Sequence, residues 1–209
     1  MVWESGPWKC YLWRDAQTLE RAMSRKSLSG ASERSQWALS RLERTVFTAA
    51  LSVRKLADSE KLSDECLAYA VPAHRFAATG TKRPTSMNWH HFDEHFDMQT
   101  PTPCNLCTRD LCNTLIHSFQ FFFAFSEERL LSGFMVSSDR KRTVCLYGFD
   151  MCEIVRWLRY VATDGIDLLE QRRTPQGDIR VRRARRWEEA AEEMYRCLGE
   201  KPERRRGAR

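Results

Sequence analysis

The sequence predicts an α+β protein, with a helical N-terminal part packed with a small antiparallel sheet and two C-terminal helices. Three observations carry that prediction. Leu39, Leu42, Val46, Ala49, Val53 and Leu56 recur at alternating steps of three and four, the repeat of a helix that buries one stripe. Leu131 to Ser138 and Arg142 to Phe149 are strand-like runs joined by the polar turn sequence Ser138-Asp139-Arg140-Lys141. Helical spacing then returns at Met151, Val155, Leu158 and Ala162, and again at Trp187, Ala190, Ala191, Met194 and Leu198. The expected organisation is a helical core with a central β-hairpin over 1–165. A C-terminal hairpin and helix of the same domain follow over 166–200, then a disordered basic tail over 201–209.

Taken in order, Leu12, Ala16, Leu19 and Met23 predict a first helix over 8–28. Ser27 to Ser32 breaks it, and Ser32 is suited to cap the next helix because its hydroxyl can accept an unpaired backbone N–H. Ser63 opens a short helix with Asp64 and Glu65 in its first turn, where the helix dipole favours acids. Residues 72–103 read as irregular, punctuated by Pro72, Gly80, Pro84, Pro101 and Pro103. Inside that stretch, Trp89 to Asp97 reads as a short amphipathic helix packing Trp89, Phe92 and Phe96, with His91 and His95 one turn apart. A helix around Leu111–His117 leads into Ser118–Phe125, whose aromatics favour a buried strand. Asp150 and Glu153 have the spacing of a capping box, and Gly165 ends the helix they open. A hairpin is expected around Thr174 to Asp178.

Composition bounds the function classes. At 209 residues, 42% hydrophobic and 30% charged, the chain is long enough to bury a sizeable core and polar enough to keep it in water. The most hydrophobic run, Phe119 to Phe125, is too short to cross a bilayer. Met1 to Trp8 lacks the basic segment and apolar core of a signal peptide, so a cytoplasmic location and free thiols are expected for the eight cysteines. The net charge of +6 permits nucleic-acid contact without demanding it. Much of the excess is C-terminal. On a strand, Arg180 and Arg182 share one face and Arg183 and Arg185 the other, a candidate phosphate-binding surface supplemented by Arg204 to Arg206.

The chemistry-bearing residues gather at Arg109 to Ser118. Cys104, Cys107, Cys112 and His117 have the spacing of a zinc knuckle with its last two ligands exchanged. The stretch has no glycine for a tight knuckle, and on a helix Cys112 and His117 point about 140° apart. No metal and no cofactor is therefore expected, with the knuckle kept as an alternative. Asn113 and His117 lie four apart on one helical face, with Arg109 four before Asn113. A bonded, purely structural polar cluster is the plainest use of such a face.

Leu111-Cys-Asn-Thr-Leu-Ile-His117 resembles the helical signature of the HEPN superfamily, hydrophobic-Arg-Asn-x-x-x-His, over seven residues. The resemblance implies a metal-independent ribonuclease site, in which Arg and His from paired helices act, commonly across a homodimer. Asn113 and His117 match the motif, while Cys112 stands where the family has its catalytic Arg. In that reading His117 is the general acid/base, Asn113 positions it, and Arg109 stabilises phosphate charge. Blocks at Phe47–Leu56, Lys61–Ser63, His95–Asp97, Leu111–Phe119, Ser138–Arg142 and Leu146-Tyr147 resemble a family of small bacterial proteins of unknown function, over about residues 45–160. That resemblance implies a bacterial cytosolic protein and assigns no activity. The functional expectation is an accessory protein with a degenerate HEPN-like polar site that binds RNA or a protein partner. The ribonuclease is the alternative.

Overall fold

A computed structural model describes residues 2–25, 28, 32–173 and 179–185; beyond residue 166 it describes the backbone and the Arg183 side chain. The fold is α+β. Two long helices come first, α1 (Ser5–Met23) and α2 (Glu33–Asp58), followed by the short α3 (Asp64–Ala68). Strand β1 (Ala70–Ala77) leads through a long excursion, which contains α4 (Phe92–His95), to β2 (Thr102–Cys107). Then come α5 (Thr108–Ile116), β3 (Ser118–Phe125), β4 (Leu131–Ser138), β5 (Cys145–Asp150) and α6 (Met151–Ala162). A separate hairpin, β6 (Ile166–Arg173) and β7 (Ile179–Arg185), ends the described chain. The predicted helix from Trp187 and the tail from 201 lie outside the described residues, as does the turn at 174–178.

The five-stranded sheet is antiparallel throughout, in the order β2-β1-β5-β4-β3. Helices α1, α5 and α6 pack on one face of it, and α2 packs on α1 and α5. The predicted stripe on α2 is core: Leu42, Val46, Ala49, Val53 and Leu56 are buried against the other helices. Fully burying a side chain of this size stabilises by roughly 1.5–3 kcal/mol. The α6 stripe behaves likewise, with Met151, Val155, Leu158 and Ala162 all buried. No helix among the described residues is long and apolar enough to cross a membrane.

Both proposed serine caps form. Ser32 accepts the Ser35 N–H at 3.2 Å, and Ser63 accepts the Cys66 N–H at 3.1 Å. The first helix differs from its expected 8–28. It starts at Ser5, because Pro7 is tolerated in a first turn, and stops at Met23, where the Ser24 hydroxyl binds the Arg21 carbonyl at 3.0 Å. The capping box at Asp150 does not form either. Asp150 occupies the cap position without a side-chain bond, and Glu153 pairs with Arg156 on its own helix.

The larger correction is at the two ends of residues 72–103: 72–77 belong to β1 and 102–103 open β2, while the stretch between them is irregular apart from α4. Proline is tolerated there for a reason visible in the register. Pro72 lies opposite Asn105 of β2, whereas the pairing with β5 begins only at His74, so no β5 ladder bond is lost at Pro72. Pro103 sits in β2, which is an edge strand. The excursion between them covers the second face of the sheet. Trp89 stacks on Phe122 at 5.3 Å, and Phe92 lies 4.9 Å from the same ring. Gln120 donates to the Trp89 carbonyl at 2.7 Å, and Ala78 bridges to Phe96. Instead of the expected amphipathic helix over 89–97, only the four residues of α4 are helical.

Candidate functional site

Helix α5 is set from beneath by a buried chain of hydrogen bonds. Thr108 donates to the Cys66 carbonyl at 2.7 Å and accepts from the Trp157 indole at 3.1 Å, which ties the start of α5 to α3 and α6. Leu111, Cys112 and Leu115 fill the core side. The outer side carries the residues singled out from the sequence, and the structure separates them. Arg109 is exposed in the first turn. Asn113 is half-buried, and its side-chain carbonyl accepts from the guanidinium of Arg54 on α2. Arg54 also holds both carboxylate oxygens of Asp58 at 2.9 Å. His117 is the C-terminal cap of α5 and is exposed. Its N–H goes to the Asn113 carbonyl at 3.1 Å, and its own carbonyl accepts from the Asp139 N–H at 2.9 Å. Arg109 and His117 are eight residues apart, about 12 Å along the axis. The arginine that reaches Asn113 is Arg54 of α2, which the sequence does not single out. It lies 59 residues from its partner, so no local spacing could reveal the pair.

The cysteine cluster is split between environments. Cys104 and Cys107 are half-buried in β2, while Cys112 is 1% exposed. Burial pushes the Cys112 thiol up to about 12, far from the thiolate that a metal requires. His91 is exposed, whereas His95 is buried and donates from Nε2 to the Asn88 carbonyl at 3.0 Å. Among the described residues no three of His, Cys, Asp and Glu are grouped to hold a metal ion.

Of the C-terminal arginines, Arg183 is committed within the molecule. Its guanidinium pairs with Glu60 at 2.9 Å and lies 3.7 Å from Asp64, and its backbone N–H binds the Asp64 carboxylate at 3.0 Å. This fastens β7 to α3. Arg180, Arg182 and Arg185 belong to the same strand, opposite Arg172, Glu170 and Ile166, and their side chains lie outside the described residues.

The best-formed concavity near the predicted stretch begins one residue after His117. It is a cleft of about 400 Å³ along the start of β3, one of the two edge strands of the sheet. Ser118, Phe119 and Phe121 form its floor. Glu43 and Phe47 of α2 wall one side, and Ser86 and Trp89 of the excursion wall the other. The rings around it are already engaged. Phe121 packs against Phe47 at 5.0 Å and Phe134 at 5.1 Å, and the Arg142 guanidinium lies 4.4 Å over Phe119. Ser118 to Phe125 contains no proline and no charge, and among the described residues its outer edge pairs with no strand. A smaller cleft of about 240 Å³ lies at the opposite end of the sheet, by His74, Asn105 and Asp150. There the edge strand carries Pro103, with Pro101 just before it. Sequence reasoning identified β3 as a strand but could not place it at an edge, because edge position is a property of the strand order. No family model, no curated protein and no solved structure matches the chain.

Proposed function

We propose that this chain is an accessory protein that binds a protein partner, taking an extended segment of it along the free edge of β3. One observation carries the reading: the start of β3, an edge strand without charge or proline, forms the floor of a walled cleft. Edge strands present a row of unpaired N–H and C=O groups, and proteins ordinarily block them with charge, proline or a covering element. The opposite edge follows that rule and this one does not. A strand added to β3 would satisfy the row through backbone bonds, while the walls select its side chains.

The α5 stretch supports binding over cleavage. Asn113 is engaged with Arg54, and Arg109 and His117 lie at opposite ends of the helix. In this reading the Arg54–Asn113 bond fixes α2 against α5 and so sets the width of the cleft. RNA binding through β7 is the weaker branch, because Arg183 is spent on Glu60 and Asp64.

The test is selection from a random peptide display library. Extended peptides with alternating apolar residues are expected to enrich on the wild type, and amide exchange of 118–125 is expected to slow on binding. Ser86→Trp, at an exposed wall position, should fill the cleft and abolish binding without lowering the melting temperature. Enrichment of no peptide, or undiminished binding to the Trp variant, would remove the cleft as the recognition site.

A further inference from the structure

We infer that the segment bound along β3 is acidic, an inference that rests on the reading of the cleft as a strand-addition site. Arg34, Trp37, Arg41, Arg44, Thr48, Leu51 and Lys55 recur on α2 at steps of three and four, and all seven are exposed. They form a second stripe, beside the one that faces the core. By the helical repeat, Leu51 and Arg44 lie about 40° and 60° around the axis from the cleft-lining Phe47, on the side away from the core. Leu51 and Arg44 therefore stand at the solvent rim of the cleft, and the rest of the stripe continues from them along the exposed side of α2. Arg34, Arg41, Arg44 and Lys55 enter no ion pair among the described residues, unlike Arg54, which is held by Asp58.

At the Ser118 end, Arg142 lies over the Phe119 ring, and Arg140 is exposed in the turn that follows Ser138, the cross-strand partner of Ser118. The acids nearby are fewer. Glu43 lines the wall, and Asp139 is paired with Arg142 at 3.5 Å. A segment entering this cleft thus passes a field of positive sign, which favours acidic side chains on its solvent side.

The same charges decide between occupants. Two copies of β3 joined edge to edge would continue the sheet and bring their α2 helices side by side on one face. The Arg34–Lys55 stripes would then meet, with like charges opposed. A single-stranded nucleic acid would suit the cations but not the cleft. Its aromatic rings are engaged with Phe134, Phe122 and Arg142, which leaves none free to stack a base, and Glu43 stands in the wall against a phosphate. An acidic polypeptide satisfies both the strand edge and the stripe.

The experiment compares two blocked peptides as long as β3, with valine and phenylalanine alternating with glutamate in one and with lysine in the other. Each is titrated by fluorescence anisotropy into the full chain. The glutamate peptide is expected to bind about tenfold tighter at low salt, and the gap should narrow as salt rises. The double variant Arg44→Glu, Lys55→Glu should reverse the preference; both positions are exposed, so folding should be preserved. Equal binding of the two peptides would overturn the acidic specification and leave the cleft reading standing. Binding of neither would remove both. A single-stranded RNA that displaces the glutamate peptide, and that Ser86→Trp excludes, would reassign the cleft to nucleic acid. A dimer in sedimentation that Ser86→Trp dissociates would reassign it to a second copy.

Discussion

The polar cluster on α5 and the one that joins α1, α3 and α6 use similar side chains at very different depths. On α5, Arg109 and His117 are exposed, and Asn113 and Arg54 are half-buried. In the second cluster Lys9, Ser63 and Asp164 are 8%, 0% and 1% exposed. Asp164 follows α6 and accepts from the Ser63 N–H at 2.7 Å and from its hydroxyl at 2.6 Å, while its backbone carbonyl receives the Lys9 ammonium. These bonds span 101 and 155 residues. The cluster that is conspicuous in the sequence is conspicuous because its members are neighbours on one helix. The cluster that closes the fold has no local signature, since its members meet only after three helices have packed. Proximity in sequence marked where chemistry was plausible; depth marks where the energy lies.

The largest expected effect is at Asp164. Replacement by Ala leaves both donors of Ser63 without their partner in a place water does not reach, at an expected loss of on the order of 3 kcal/mol. For a chain of this length that is roughly a 6–12 °C fall in melting temperature, measurable by circular dichroism. A loss under about 1 kcal/mol would place the two clusters on an equal footing and end the contrast.

The inner side of α5 gives a smaller, pH-dependent effect. Burial raises the Cys112 thiol from 9.0 to about 12, so the fold favours the protonated form. That contribution is fully present below the unfolded value near 9 and is lost as pH rises through 9 toward 12. Linkage gives a fall of about 1 kcal/mol between pH 9 and 10 from this group. Chemical unfolding at the two pH values should show a shallower fall in Cys112→Ala than in the wild type. Equal slopes would mean that the thiol is not held protonated, and would revive the zinc-knuckle alternative.

What was legible follows the same division. The α2 stripe, the caps at Ser32 and Ser63, and the hairpin from Leu131 to Phe149 could be read because their signals are local: period, first-turn chemistry and alternation. The ends of residues 72–103 misled because Pro72 and Pro103 ordinarily mark loops, and only the finished strand order shows Pro72 ahead of the β5 pairing and Pro103 on an edge strand. The Asp150 box failed because Glu153 found Arg156 one turn on. Arg54 was invisible as a partner of Asn113, and the free edge of β3 was invisible as an edge, since both depend on elements far apart in sequence.

The smallest expected effect is at His117, the residue that the HEPN-like resemblance weights most. Its contribution to α5 is made by the backbone, through the bonds to Asn113 and from Asp139, and alanine keeps both. Its ring is exposed at the helix end, so no buried partner is orphaned when it is removed. His117→Ala should therefore lie within about 0.5 kcal/mol of wild type in stability, as exposed substitutions usually do. Peptide binding along β3 should change little, because the ring is not part of the cleft floor or walls. The decisive readout is catalytic. Incubated with a mixed-sequence RNA, wild type and His117→Ala should leave the substrate equally intact. Cleavage by the wild type that His117→Ala abolishes, while stability and peptide binding stay unchanged, would mean that Arg109, Asn113 and His117 act together despite their spread along the helix. The exposed cluster would then be the active one, and the contrast in depth would separate chemistry from stability instead of spacing from stability.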